Sequence, residues 1–426
     1  LGLFHTKPNP TAGQRTRLEE SKLRNHASFM RLAPSLAALL TFLSVATASS
    51  FAADSAPKAT PFDQSQALME SLRAKALPAP KPFGENEQDL FEAMAGGLVP
   101  VDPAFCERIK LIEITDGLLP VLKQPIPGLS EPTSQLSGNI LACRLFVLRG
   151  LLHCQQGKVA EGQAWLLKPR LMARRPGADQ SLIQFLVATA MDAIGQQAAA
   201  NYVEIWSEAD RTAFVKATES LAKMEGLSSA CRRDDGALPA NTRIRTLITT
   251  FKPLTPAQQQ AQIEKLAGPW LGMDDERKVR TRRYLALISS LTVESWDALL
   301  DGISAELAPL TAEKLKVFAV RNAAAVKLVE AEEAKPAAPA AQKAEALYRV
   351  IMGPGIEGIA RSRLNLELKD KLLVVAMRKG AAFDESCLTN LTTADGKPLI
   401  LGKHDGVKAI LAPGSDAPFL IIGPAK

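Results

Sequence analysis

Between Asn139 and Gln156 the chain places Ile140, Cys143, Val147, Leu151 and Cys154 at intervals of three and four residues, while Leu141, Leu145, Leu148 and Leu152 widen the same apolar surface. That period fits one face of an α-helix and excludes a strand, whose faces alternate every second residue. A helix apolar around so much of its circumference belongs inside a helical body. Gly157 is placed to cap it. Val159 to Arg174 then returns with Ala160, Ala164, Leu167 and Leu171 on one face and a kink at Pro169, which lacks a backbone donor.

Helix, glycine turn and helix predict a tetratricopeptide-like hairpin. No second copy follows at a period of about 34 residues, so a regular array is not expected. Leu90, Phe91, Met94 and Leu98 form a stripe after Gly84; Phe105, Ile109, Ile112 and Ile114 begin another that runs towards Leu122, and Pro125 to Pro132 reads as a loop. Beyond Arg174-Arg175-Pro176-Gly177, Ser181 to Gln197 carries Leu182, Phe185, Leu186, Thr189 and Ala193. Ser207-Glu208-Ala209-Asp210 is a capping-box start for a helix with Phe214, Ala217 and Leu221. Thr255-Pro256 supplies an N-cap followed by proline, and Asp274 to Leu291, Val293 to Leu300 and Ala312 to Ala334 continue the helical pattern.

Residues 84–334 are thus predicted as an α-helical body and 335–342 as a Pro/Ala linker. In 343–426, Lys343 to Ile351 and Ile359 to Lys379 read as helices separated by a break at Gly353-Pro354-Gly355-Ile356-Glu357-Gly358. Pro398 to Leu401, Val407 to Leu411 and Phe419 to Ile422 are short apolar runs set apart by the turn sequences Lys403-His404-Asp405-Gly406 and Gly414-Ser415-Asp416-Ala417. The expected fold class is mostly α: an irregular body of helical hairpins with a small C-terminal α+β tail of three short antiparallel strands. Abundant Ala and Leu beside only 4 Trp and 3 Tyr agree with it.

Met30-Arg31 precedes an uncharged run, Leu32 to Ala53, whose small residues Ala46-Thr47-Ala48 and Ser50-Phe51-Ala52 resemble an export cleavage region. Residues 30–53 are read as a signal peptide, 1–29 as an untranslated or disordered extension, and 54–83 as a flexible lead-in. The expected location is periplasmic or secreted; the alternative is an inner-membrane anchor formed by 32–53. Lys7, Arg15, Arg17, Lys22, Arg24 and Arg31 against Glu19 and Glu20 contribute +4 of the formal +6, which leaves +2 for the remainder. So small a charge does not point to nucleic acid as a partner.

The ending resembles the globular half of a type II secretion pseudopilin. The likeness rests on Phe383-Asp384-Glu385-Ser386, on Asp395-Gly396-Lys397-Pro398-Leu399 and on the Asp405-Gly406 and Gly414-Ser415-Asp416 turns, and covers roughly the last 60 residues. That family's apolar N-terminal helix is missing. The middle, through Gly157-Lys158-Val159-Ala160, Leu182 to Ala188 and Ser207-Glu208-Ala209-Asp210, resembles uncharacterised exported helical proteins of planctomycete and verrucomicrobial type that carry the same tail. This second resemblance implies architecture and no chemistry.

Candidate chemistry is sparse. Only His153 and His404 follow residue 53, and neighbouring His153 and Cys154 diverge on a helix, so a metal site is not expected. No cofactor is expected either, since nucleophile elbow, Walker loop and dinucleotide fingerprint are all lacking. Five cysteines permit disulfides in an exported chain, but Cys143 and Cys154 on one helix stand about 16 Å apart and cannot pair with each other. Glu294, Asp297, Asp301, Glu330, Glu332 and Glu333 read as a solvated face. Arg277, Lys278, Arg280, Arg282 and Arg283 form the one charged constellation, a candidate anion-facing patch for an envelope protein or anionic polymer. The chain therefore reads as an exported helical binding or scaffold protein of the cell envelope, without a recognisable catalytic set; an envelope hydrolase and a component of a secretion or pilus-like assembly stand as alternatives.

Overall fold

The computed structural model describes residues 87–123, 133–175, 182–224, 226–227, 239–267, 275–331, 339–404, 406–415 and 417–423. The leader, the lead-in, the Pro125 to Pro132 loop and Cys231 lie outside these. Within them the chain is mostly helical and ends in a small three-stranded antiparallel sheet.

The central hairpin forms from the predicted pattern. Helix α4 (Thr133–Gln155) buries Cys143, Val147, Leu151 and Cys154, and it ends where Gly157 takes φ 78. The Gly157 N–H donates to the Cys154 carbonyl at 3.0 Å and the Lys158 N–H to that of His153 at 2.9 Å, the paired bonds of a Schellman cap. The return is two helices, α5 (Val159–Leu166) and α6 (Lys168–Met172), with Pro169 in the first turn of the second. This break changes which face is buried. Gly162, Gln163, Leu166, Pro169 and Arg170 face inward; of the expected stripe Leu167 is buried, whereas Ala160, Ala164 and Leu171 are exposed.

A second correction lies upstream. After α1 (Glu87–Ala95), which buries Phe91 and Met94 but leaves Leu98 exposed beyond its end, the Phe105 to Ile114 stripe divides into α2 (Pro103–Arg108) and α3 (Leu111–Leu118). Lys110 between them adopts φ 55, and this left-handed residue resets the helical phase. Leu111, Thr115 and Leu118 become the buried face, and Ile112 is 55% exposed.

Helix α7 (Leu182–Ala200) crosses α4 and α6, and α8 (Glu208–Glu219) starts at Ser207, whose hydroxyl accepts from the Asp210 N–H at 3.2 Å. Helices α9 (Pro239–Phe251), α10 (Pro256–Ala267), α11 (Asp275–Ser289), α12 (Val293–Glu306), α13 (Ala312–Ala331) and α14 (Ala340–Ile351) build a second apolar core around Phe251, Trp296, Phe318 and Leu347. The stretch expected as linker is already helical at Ala340. Helix α14 packs on α12 and α13. The expected break over Gly353 to Gly358 is corrected: those residues are helical, the interruption is confined to Met352, and Pro354 fits the first turn of α15 (Gly353–Lys379).

Helix α15 ties the two cores together. Ile356, Ile359 and Ala360 lie in the second, while Leu372, Leu373, Ala376 and Met377 lie in the first, against α7 and α8. The chain then forms β1 (Ile400–His404), β2 (Val407–Leu411) and β3 (Leu420–Ile421), antiparallel in that order. Leu401 pairs with Ile410 and His404 with Val407, and Gly406 at φ 81 supplies the tight turn. Among the described residues no helix is long and apolar enough to cross a membrane.

Candidate functional site

Helix α14 packs against both α12 and α13, but those two hardly touch each other. Between them, above α14, lies a groove of about 750 Å³. Its α12 wall is lined by Ser295, Ala298, Leu299, Gly302 and Ile303 and its α13 wall by Glu313, Lys314, Val317 and Arg321, an apolar wall facing a largely charged one. Val317 is 51% exposed and Val320, one turn along the rim, 70% exposed. Apolar side chains clustered beside a concavity mark an interaction site more often than scattered ones do.

The floor is polar and largely buried. Arg349, 3% exposed, donates from Nη2 to Glu306 Oε2 at 2.6 Å, from Nε to Glu345 Oε1 at 2.8 Å and from Nη1 to Asn322 Oδ1 at 3.4 Å. Its guanidinium also lies 5.1 Å from the centre of the Phe318 ring. Arg321 reaches the same Glu306 oxygen at 3.4 Å. The other oxygen of Glu306, Oε1, is buried and accepts no hydrogen bond. A buried acceptor left open is costly unless a donor arrives from outside.

The two walls differ in sign. Helix α12 carries Glu294, Asp297, Asp301 and Glu306 and no Lys or Arg, whereas α13 carries Lys314, Lys316, Arg321 and Lys327 beside Glu313; of these, Glu306, Glu313, Lys314 and Arg321 line the groove. Backbone N–H groups at the helix starts, with the hydroxyls of Thr292 and Thr311, hold the Glu294 and Glu313 carboxyls below the ordinary range. Asp297 is committed to Arg245 at 2.7 Å. Asp301 stands on the exposed rim.

The five cations of the expected patch all fall on one helix, α11. Of them, Arg282 is spent on Glu264 of α10 at 2.9 Å. Arg283 shares the helix, and the side chains of Arg277, Lys278 and Arg280 lie outside the described residues. His153 is nearly buried, 3.4 Å from Glu161, and burial lowers its pKa. Among the described residues no group of three or more His, Cys, Asp or Glu is placed to hold a metal. The groove floor carries no local sequence signal, because Glu306 and Arg349 meet from different helices. The signal available for its rim was Val317 and Val320 standing among lysines on the wrong face of an amphipathic helix.

Compared with known proteins, the chain matches no family model, no curated protein and no solved structure.

Proposed function

We propose that the chain is an exported binding or scaffold protein of the cell envelope and that a partner sits in the groove between α12 and α13. The observation that carries this reading is a groove of about 750 Å³ with Leu299, Ile303 and the half-exposed Val317 on its walls and the open Glu306 Oε1 in its floor. A hydrolase is supported less. The described carboxylates whose pKa is shifted, Asp192, Glu294, Glu313, Asp384 and Asp395, are all shifted down, whereas a general acid needs to be shifted up. A role in a pilus-like assembly draws only on the order of long helix and small sheet. Helix α15 lends Ile356, Ile359 and Ala360 to one core and Leu372, Leu373, Ala376 and Met377 to the other, so its apolar face is already engaged.

Replacing Val317 with a photo-crosslinking residue in cells and analysing the envelope fraction tests the reading. One or a few dominant adducts are expected, and they should vanish when Gly302→Leu fills the groove. Adducts indifferent to Gly302→Leu would overturn it. The N-terminus of the recovered chain reports whether residues 30–53 are removed.

A further inference from the structure

We propose that Lys369, where α15 meets the C-terminal tail, is a nucleophilic amine that condenses with small aldehydes. It lies outside the groove and acts independently of any partner there. Lys369 is half-buried, and its Nζ stands 5.1 Å from the centre of the Phe419 ring, just before β3. Phe419 is 8% exposed and belongs to the first core with Leu399, Ala412 and Leu420, so the ammonium is set against the apolar edge of the tail. No carboxylate offsets it. Glu367 and Asp370, beside it on α15, are taken by Arg363 at 2.9 Å and Arg170 at 2.6 Å, and Asp395 of the tail lies with Thr393 at 2.5 Å and Lys397 at 3.8 Å. Among the described residues Lys369 makes no ion pair or hydrogen bond, yet its nitrogen still touches solvent.

An ammonium held against apolar surface without a counter-ion gives up its proton readily, and the free amine is the nucleophile. Burial alone pulls the Lys369 pKa down to about 8. At pH 7 roughly a tenth of it is then free base, against fewer than about one in a thousand for an ordinary lysine. The ring selects the electrophile. Acyl transfer would leave a neutral amide and lose the attraction between cation and ring, whereas an aldehyde gives an iminium that stays cationic over Phe419. Nζ adds to the carbonyl carbon, the carbonyl oxygen leaves as water with the two amine protons and one proton from solvent supplying the balance, and a C=N bond replaces C=O. The step is reversible and needs no oxidant or reductant. Half-burial of the amine restricts it to small aldehydes.

The test exposes the full chain briefly to isotope-labelled formaldehyde at about pH 7, traps the iminium with cyanoborohydride and reads each lysine by peptide mass spectrometry. Lys369 is expected to be labelled at least about tenfold faster than the median lysine, a smaller margin than the free-base ratio because a less basic amine is also a weaker nucleophile. At about pH 10, where ordinary lysines also deprotonate, the margin should close. Asn365→Asp supplies the missing carboxylate one turn away on the same face of α15, and it keeps an acceptor for the Ala394 N–H, bound at 2.8 Å. This variant should slow Lys369 at least about threefold and leave the other lysines unchanged, which separates a local charge effect from unfolding. Labelling of Lys369 at or below the median rate at pH 7 overturns the proposal, as does a fast rate that Asn365→Asp does not slow.

Discussion

Arg170 donates from Nε to Oδ1 of Asp192 at 3.0 Å, with both side chains almost wholly removed from solvent. Arg174 reaches the same oxygen, and Arg170 Nη2 continues to Asp370 of α15 at 2.6 Å, so one chain of charges joins α6, α7 and α15. Burial raises the Asp192 carboxyl, and the two guanidiniums outweigh it, so its pKa lies below the ordinary value. Removing the carboxylate leaves buried guanidinium charge uncompensated; Asp192→Ala is expected to lose about 3–5 kcal/mol in urea unfolding. Because the folded pKa lies below the unfolded one of about 3.9, the stabilisation is complete above that pH and declines as pH falls towards the folded value. Urea midpoints of the wild type and Asp192→Asn from pH 7 to 3 should therefore converge on the acid side. Parallel curves throughout would show that Asp192 titrates alike in both states.

The hairpin depends on two glycines where α4 and α5 cross. A Cβ on Gly162 would stand 2.3 Å from Cys154 Sγ and 2.9 Å from the Gly150 carbonyl oxygen. Gly162→Ala is expected to destabilise by about 1–3 kcal/mol through forced separation of the helices. Gly302→Ala, in open space within α12, should instead gain about 0.5–1 kcal/mol from helix propensity. Thermal unfolding of the two variants side by side checks the opposite signs.

These two glycines also mark what a sequence discloses. The α4 period, the Gly157 cap, the Ser207 start and the three terminal strands are local signals, and each is a property of about one turn or one pairing. Gly162 is different. Nothing beside it says that Gly150 will lie opposite, and the face of α5 that turns inward depends on how Pro169 divides the return. The groove is hidden for the same reason: Leu299, Val317 and Arg349, which line it, belong to three different helices.

Thiol reactivity should follow burial. Burial pushes Cys106 up to about 12 and Cys154 up to about 11, and raises Cys143, whose sulfur lies 3.6 Å from Met172 Sδ. Cys387, after α15, is half-buried, and all four are free thiols. In a Cys231→Ser background, a disulfide-exchange reagent at about pH 8 should consume one thiol rapidly and the other three only on unfolding, since the thiolate is the nucleophile. More than one fast equivalent in the native chain would contradict this burial.

Lys110 holds a left-handed conformation that a β-carbon disfavours, yet the packing of α2 and α3 depends on it. It turns the chain so that Leu111, 1% exposed, enters the core in place of Ile112. Lys110→Gly should therefore stabilise by about 0.5–1 kcal/mol, because glycine reaches this conformation without steric penalty. Leu111→Ala should cost about 2–5 kcal/mol as a buried cavity, and Ile112→Lys should stay within about 0.5 kcal/mol as a surface change. Helical periodicity without the break makes Ile112 the core residue and reverses the last two outcomes. Chemical denaturation of the three variants separates the two arrangements, and a large loss on Ile112→Lys would show that α2 and α3 run as one continuous helix.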